Sequence, residues 1–141
     1  LDLSTSFSTN NPPFQLENFG DIGPLAGAQN VNEQSVLYTI DLSSSSPTWK
    51  KLSDGTAPNA PSSRRGARMV FNPTDQSLYV WGGAYNGSVL NDTDFYIYGI
   101  NKNSWFRKAS PNPPEARALH TMTILPNGYI FILGGIPTVT F

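Results

Sequence analysis

Few residues in this 141-residue chain could do chemistry, and their spacing is regular. There is one histidine, His120, and no cysteine. A catalytic histidine needs a nucleophile or an orienting carboxylate within reach, and no such partner recurs near His120, whose neighbour three residues back is Arg117. Arg64 and Arg65 head one apolar segment and Arg117 heads another. A guanidinium offers five donors, which can hold an acidic ligand or satisfy backbone carbonyls. The stretch GGAYNG at 82–87 clusters glycine N–H groups as a phosphate loop does, but no Lys-Ser/Thr follows and the next segment reads as a strand. The reading therefore assigns no catalytic, metal-ligating or cofactor-binding residue, and expects no cofactor.

The spacing explains more than the residue types. RRGARMVFNPTDQSLYVWGG at 64–83 reappears as ARALHTMTILPNGYIFILGG at 116–135. A single shift of 52 positions puts Gly134 and Gly135 on Gly82 and Gly83, Arg117 on Arg65, and His120 on Arg68. In that register Arg65, Arg117 and His120 are repeat positions, and Arg64 is an extra residue free for a ligand. Between the glycine pairs, NDTDFYIYGINKNSWFRK has the same order as the upstream SVLYTIDLSSSSPTWKKL, with Tyr38 opposite Tyr96 and Trp49 opposite Trp105. A period near fifty marks a repeat architecture.

Each unit reads as four strands. Strand a follows the Arg (65–71, 117–124), b ends at Gly-Gly (77–82, 129–134), c carries the tyrosines (35–41, 94–100) and d opens at Trp (48–53, 104–109). The LPNG turn at 125–128 predicts an a–b hairpin with a two-residue Asn127-Gly128 loop. LYVW, FYIY and IFIL are continuous apolar runs rather than alternating ones, so both faces of the sheet must be covered. No helical periodicity supplies a covering layer. Four-stranded antiparallel sheets stacked face to face around an axis, as in a β-propeller, meet that need.

Arg before strand a, Gly-Gly closing b, Tyr in c and Trp opening d together resemble the kelch repeat. The style is also similar to fungal cell-surface kelch proteins. The resemblance implies an all-β, incomplete propeller of two to three blades: 65–109 complete, 117–135 the first hairpin of the next blade, 31–53 a partial blade, and 1–18 a degenerate c–d pair with Phe14 at the Trp position. Residues 19–34 read as a degenerate hairpin or a deletion. It implies a structural role for Tyr38, Trp49, Arg65, Gly82, Gly83, Tyr96, Trp105, Arg117, His120, Gly134 and Gly135. Propellers close with about four to eight blades, so the remaining blades are expected outside this chain. Galactose oxidase shares the resemblance, but its chemistry depends on two histidines and a Cys joined to a Tyr, which this chain cannot supply. The expected function is a non-catalytic protein-interaction module; the alternative is a fragment of a galactose-oxidase-like enzyme or a carbohydrate-binding surface protein.

Only 13% of residues are charged and the formal charge is −1, which disfavours nucleic acid as a partner. No run approaches a membrane span, and LDLSTSFSTN lacks the regions of a signal peptide. Asn86-Gly-Ser and Asn91-Asp-Thr are two glycosylation sequons in one loop and lean toward the secretory route. The long b–c and d–a connections, at 54–63, 84–93 and 110–116, should gather at one end of the strands. Arg64, Tyr85 and Glu115 are the candidate partner-binding residues there.

Overall fold

The computed structural model describes residues 14–15 and 36–138. Apart from Phe14–Gln15, the readings made within 1–18 and at 19–34 lie outside the described residues. All regular structure among the described residues is β-strand: β1 Phe14–Gln15, β2 Leu37–Asp41, β3 Trp49–Ser53, β4 Arg68–Asn72, β5 Ser77–Trp81, β6 Ala84–Tyr85, β7 Ser88–Val89, β8 Asp94–Gly99, β9 Ser104–Ala109, β10 Thr121–Ile124 and β11 Ile130–Leu133. The fold is all-β, in several small antiparallel sheets.

The central sheet runs β4-β5-β8-β9, the expected a-b-c-d order, with β6 and β7 forming a small hairpin between b and c. Register is continuous: Arg68 faces Trp81, Val80 faces Tyr96 and Asp94 faces Ala109. Turn chemistry sets these pairings. In the β4–β5 turn the Asn72 side chain accepts from the Thr74 N–H and Gln76 takes a positive φ of 53°. The β8–β9 turn places Asn103 at φ 49°, where its side-chain oxygen accepts from the Tyr98 hydroxyl. Asn tolerates this left-handed region better than other non-glycine residues.

Two hairpins differ from expectation. The two-residue turn with both central φ values positive lies at Asn86 (48°) and Gly87 (75°), the pattern of a type I′ loop. At 125–129 only Gly128 is left-handed (85°); its N–H donates to the Leu125 carbonyl and the Leu125 N–H to the Tyr129 carbonyl, closing a three-residue loop. Pro126 explains the choice, because its fixed negative φ suits the first central position of a type I turn followed by a left-handed Gly. Phe14–Gln15 also departs from the reading, since β1 pairs with β2, Phe14 opposite Asp41, in the position that β5 holds beside β8. It therefore stands as a neighbour of strand c and not as strand d.

Both faces of the central sheet are covered. On one face Leu78, Val80, Tyr96, Tyr98 and Trp105 pack with Leu37 of β2, and Leu52 of β3 joins this core. The Trp105 indole N–H donates to Ser53 Oγ at 3.0 Å, tying β9 to the preceding sheet. On the other face Trp81 meets Phe95 and the edge of His120, with ring centroids 6.4 and 5.3 Å away. Covering from both sides is why LYVW need not alternate. Among the described residues the β10–β11 hairpin has a neighbour on one side only: Trp81 is 1% exposed, while Leu133, at the matching point before Gly-Gly, is 75% exposed. Trp49 faces Ile40 and Tyr38 faces Lys51, in the places where Trp105 faces Tyr98 and Tyr96 faces Arg107, yet Trp49 and Tyr38 are both exposed.

Candidate functional site at the long-loop end

The antiparallel register puts the start of β4, the end of β5, the start of β8 and the end of β9 at one end of the central sheet. Loops 54–63, 84–93 and 110–116 join the strands there. Backbone hydrogen bonds draw them together: Arg65 and Ala84 exchange both N–H···O bonds at 2.8 Å, Gly83 N–H donates to Arg117 O at 3.0 Å, and Ser110 N–H reaches Thr93 O. The short turns lie at the other end, where Ile100 N–H donates to Gln76 O.

The arginines require a correction. Arg64, expected to be free of the repeat, is buried, with its side chain wholly inaccessible. Its Nε donates to Ser62 O and one terminal nitrogen to Gly82 O; that same nitrogen pairs with the Asp92 carboxylate, and the guanidinium lies over the Tyr96 ring at 4.7 Å. Arg117 repeats the pattern, donating from Nε to Glu115 O and from a terminal nitrogen to Gly134 O. Arg117 is thus the counterpart of Arg64, not of Arg65. The physical reason is the loop-length difference: four residues separate Asn72 from Ser77, while three separate Leu125 from Tyr129. Strand b repeats at 52 positions and strand a at 53.

The same shift re-pairs the neighbours. His120 matches Ala67, and Leu119 matches Gly66; φ is 58° at Leu119 and 63° at Gly66. Strands a begin at Arg68 and Thr121, later than expected, because a left-handed residue interrupts extended backbone just before each. Arg65 is the exposed member of its pair, with no carboxylate partner among the described residues.

Gly82 and Gly83 follow directly on β5. With φ at 70° and 103° they adopt backbone that side chains resist, and a Cβ on Gly82 would meet Arg117 O at 2.6 Å and His120 Cε1 at 2.7 Å. Gly135 is equally tight against Ala118 O at 2.7 Å, whereas nothing approaches the corresponding point on Gly134.

His120 is fully buried, and neither ring nitrogen has a hydrogen-bond partner among the described residues. Burial, then the nearby Arg68 and Arg117 charges, lower its pKa from 6.5 to about 4. Both push toward the neutral ring. Because the unfolded chain takes up this proton more readily, stability present above about pH 6.5 is lost as pH falls toward 4. The loss should be on the order of 2 kcal/mol. Thermal unfolding at pH 7 and pH 4.5 should show His120→Phe less acid-sensitive than the native protein; equal sensitivity would mean that His120 is protonated without cost.

No family model matches the chain. Over 63 residues it is 38% identical to Mei4-dependent protein 6 of Schizosaccharomyces pombe, covering 45% of this chain and 9% of that protein. Over 101 residues it is 29% identical to Adagio-like protein 1 of Oryza sativa subsp. japonica, covering 71% of this chain and 15% of the relative. The chain thus spans less than a sixth of the length of either relative.

The remaining candidates lie where exposure permits contact. Tyr85 is 43% exposed on β6, and Glu115, Asn86 and Asn91 are exposed in the same group of loops. Sequence reasoning missed Leu119, which is 58% exposed in a left-handed conformation. A signal for it existed: in the 53-position register it aligns with Gly66, a residue type that marks positive φ. Among the described residues no group of three His, Cys, Asp or Glu could hold a metal ion, and no helix is long and apolar enough to cross a membrane.

Proposed function

We propose that this chain is a segment of a kelch-type β-propeller that acts as a non-catalytic protein-interaction module, engaging partners through the loops at 54–63, 84–93 and 110–116. The observation that carries the reading is a pair of backbone bonds at one junction between units: Gly83 N–H donates to Arg117 O and Leu119 N–H to Gly66 O, at 3.0 and 2.8 Å, joining the head of one a strand to the a and b strands of the unit before. Such joining supports sheets arranged about a common axis with their inner strands adjacent. Partners contact long loops on a rigid scaffold more readily than minimal turns. The remaining blades lie outside these residues in this reading.

The test compares the two ends of the sheet in the full-length protein, against a protein partner isolated with it and then purified. Tyr85→Ala should weaken that partner about fivefold or more with little change in melting temperature, since exposed aromatics carry much interface energy. Thr74→Ala and Asn127→Ala, in the short turns, should leave affinity within about twofold. Loss of binding confined to the short-turn variants would move the functional face to the opposite end.

A further inference from the structure

We propose that Asn86 carries an N-linked glycan whose first sugar rests on the Tyr85 ring, so that this part of the protein passes through the secretory lumen. The inference goes beyond the interaction-module reading and does not depend on it: a sugar on one face of the ring leaves the other face to a protein partner.

The β6–β7 hairpin carries the argument. Tyr85-Asn86-Gly87-Ser88 contains the sequon Asn-Gly-Ser and is also a complete two-residue turn: Tyr85 faces Ser88, and Asn86 and Gly87 take φ values of 48° and 75°. All four residues are exposed, and nothing among the described residues comes within 4 Å of a Cβ on Gly87. A bulky glycan therefore fits at this tip without moving the fold. The tip is also held in place. Arg65 and Ala84 exchange backbone bonds at the base of β6, and Leu90 N–H donates to Gly83 O at 2.8 Å just beyond β7. Side chains alternate across a strand, but the left-handed backbone at Asn86 interrupts that alternation, so ring and amide share the tip. A pyranose presents C–H groups on one face, and these complement the electron-rich face of an aromatic ring.

The second sequon, Asn91-Asp92-Thr93, lacks these features. Asp92 is paired with the buried Arg64, the Thr93 hydroxyl donates to the Asp94 carboxylate at 3.1 Å, and Leu90 stands where Asn86 has Tyr85. Transfer precedes folding, and in the unfolded chain the charge of Asp92 opposes an anionic donor. The reaction at Asn86 is a substitution with no change of oxidation state. Its side-chain Nδ2 bonds to the anomeric carbon of the first N-acetylglucosamine of an oligosaccharide carried on a polyprenyl pyrophosphate. The bond from that carbon to the phosphate oxygen breaks, its electron pair leaves with the lipid pyrophosphate, and Nδ2 gives up one proton. The catalyst is the lumenal oligosaccharyl transferase, which recognises the Ser88 hydroxyl together with Asn86.

Full-length protein produced in a eukaryotic cell tests this. It is treated with an endoglycosidase that leaves one N-acetylglucosamine, then cut after Leu90 so that mass spectrometry reads Asn86 and Asn91 separately. The residual sugar should sit on Asn86. Asn86→Gln and Ser88→Ala should each lose the mobility shift that the endoglycosidase causes, while Asn91→Gln should keep it. In the glycosylated protein the β6–β7 amides should exchange hydrogen about threefold more slowly than in the enzymatically deglycosylated one, a difference that Tyr85→Phe keeps and Tyr85→Ala loses. No sugar on Asn86, sugar on Asn91 in its place, or a mobility shift unchanged in both Asn86→Gln and Ser88→Ala would overturn the glycan. Equal slowing in Tyr85→Ala and the native protein would overturn its seat on the ring.

Discussion

Arg64→Ala is expected to destabilise the protein by about 3–5 kcal/mol, and Arg65→Ala, one residue on, by less than about 0.5 kcal/mol. The side chain of Arg64 is wholly buried and that of Asp92 nearly so. Truncating the arginine leaves a carboxylate with its counter-charge gone, and strips the Gly82 carbonyl of a charged donor. Removing one member of a buried pair costs far more than the pair itself contributes, because the survivor keeps its desolvation. Tyr96 would also lose the guanidinium over its ring. Arg65 has no such dependants, only backbone bonds that alanine preserves. Urea unfolding of the two variants decides the matter; a larger loss in Arg65→Ala would restore the single 52-position register and refute the equivalence of Arg64 with Arg117.

That pair of arginines also marks the limit of what the residues alone reveal. The four-strand order, the Gly-Gly close approach and the covering of both faces of LYVW were legible because they follow from local pattern: turn residues, β-branched and aromatic runs, and glycine where a side chain cannot fit. The identity of the structural arginine was not legible, because it depends on where a one-residue shortening falls. Aligning on glycines fixes strand b and carries the error into strand a, and RRG offers two arginines to choose from. Pro126-Asn127-Gly128 shows the same limit on a smaller scale: Asn-Gly favours a two-residue loop, but the preceding proline sets a type I turn and moves the left-handed residue to Gly128 alone. The β6–β7 hairpin was hidden for the opposite reason, since two-residue strands leave no periodicity to detect. Leu119 breaks a local rule outright. Its backbone is set by the repeat, since Gly66 has the same left-handed conformation one unit earlier.

Gly82→Val is expected to cost roughly 4 kcal/mol or more, and its partner in the next unit, Gly134→Val, tests the architecture itself. Left-handed backbone costs an L-residue about 1–2 kcal/mol, and forcing atoms into filled space typically adds about 1–3 kcal/mol. At Gly82 both apply and β-branching worsens them: φ is 70°, and the first added carbon would sit 2.6 Å from Arg117 O and 2.7 Å from His120 Cε1, neither the free end of a flexible chain. At Gly134 φ is 69°, but the space beyond is open among the described residues, so backbone strain is the cost these residues impose. If further units stack on β11 as the propeller reading requires, the next strand a should press on Gly134 as Arg117 and His120 press on Gly82. In the full-length protein the two substitutions should then be equally damaging by thermal or denaturant unfolding. A Gly134→Val variant that lost only the strain of about 1–2 kcal/mol while Gly82→Val lost twice that or more would mean that nothing packs there, and the repeat would end at β11 without closing a ring.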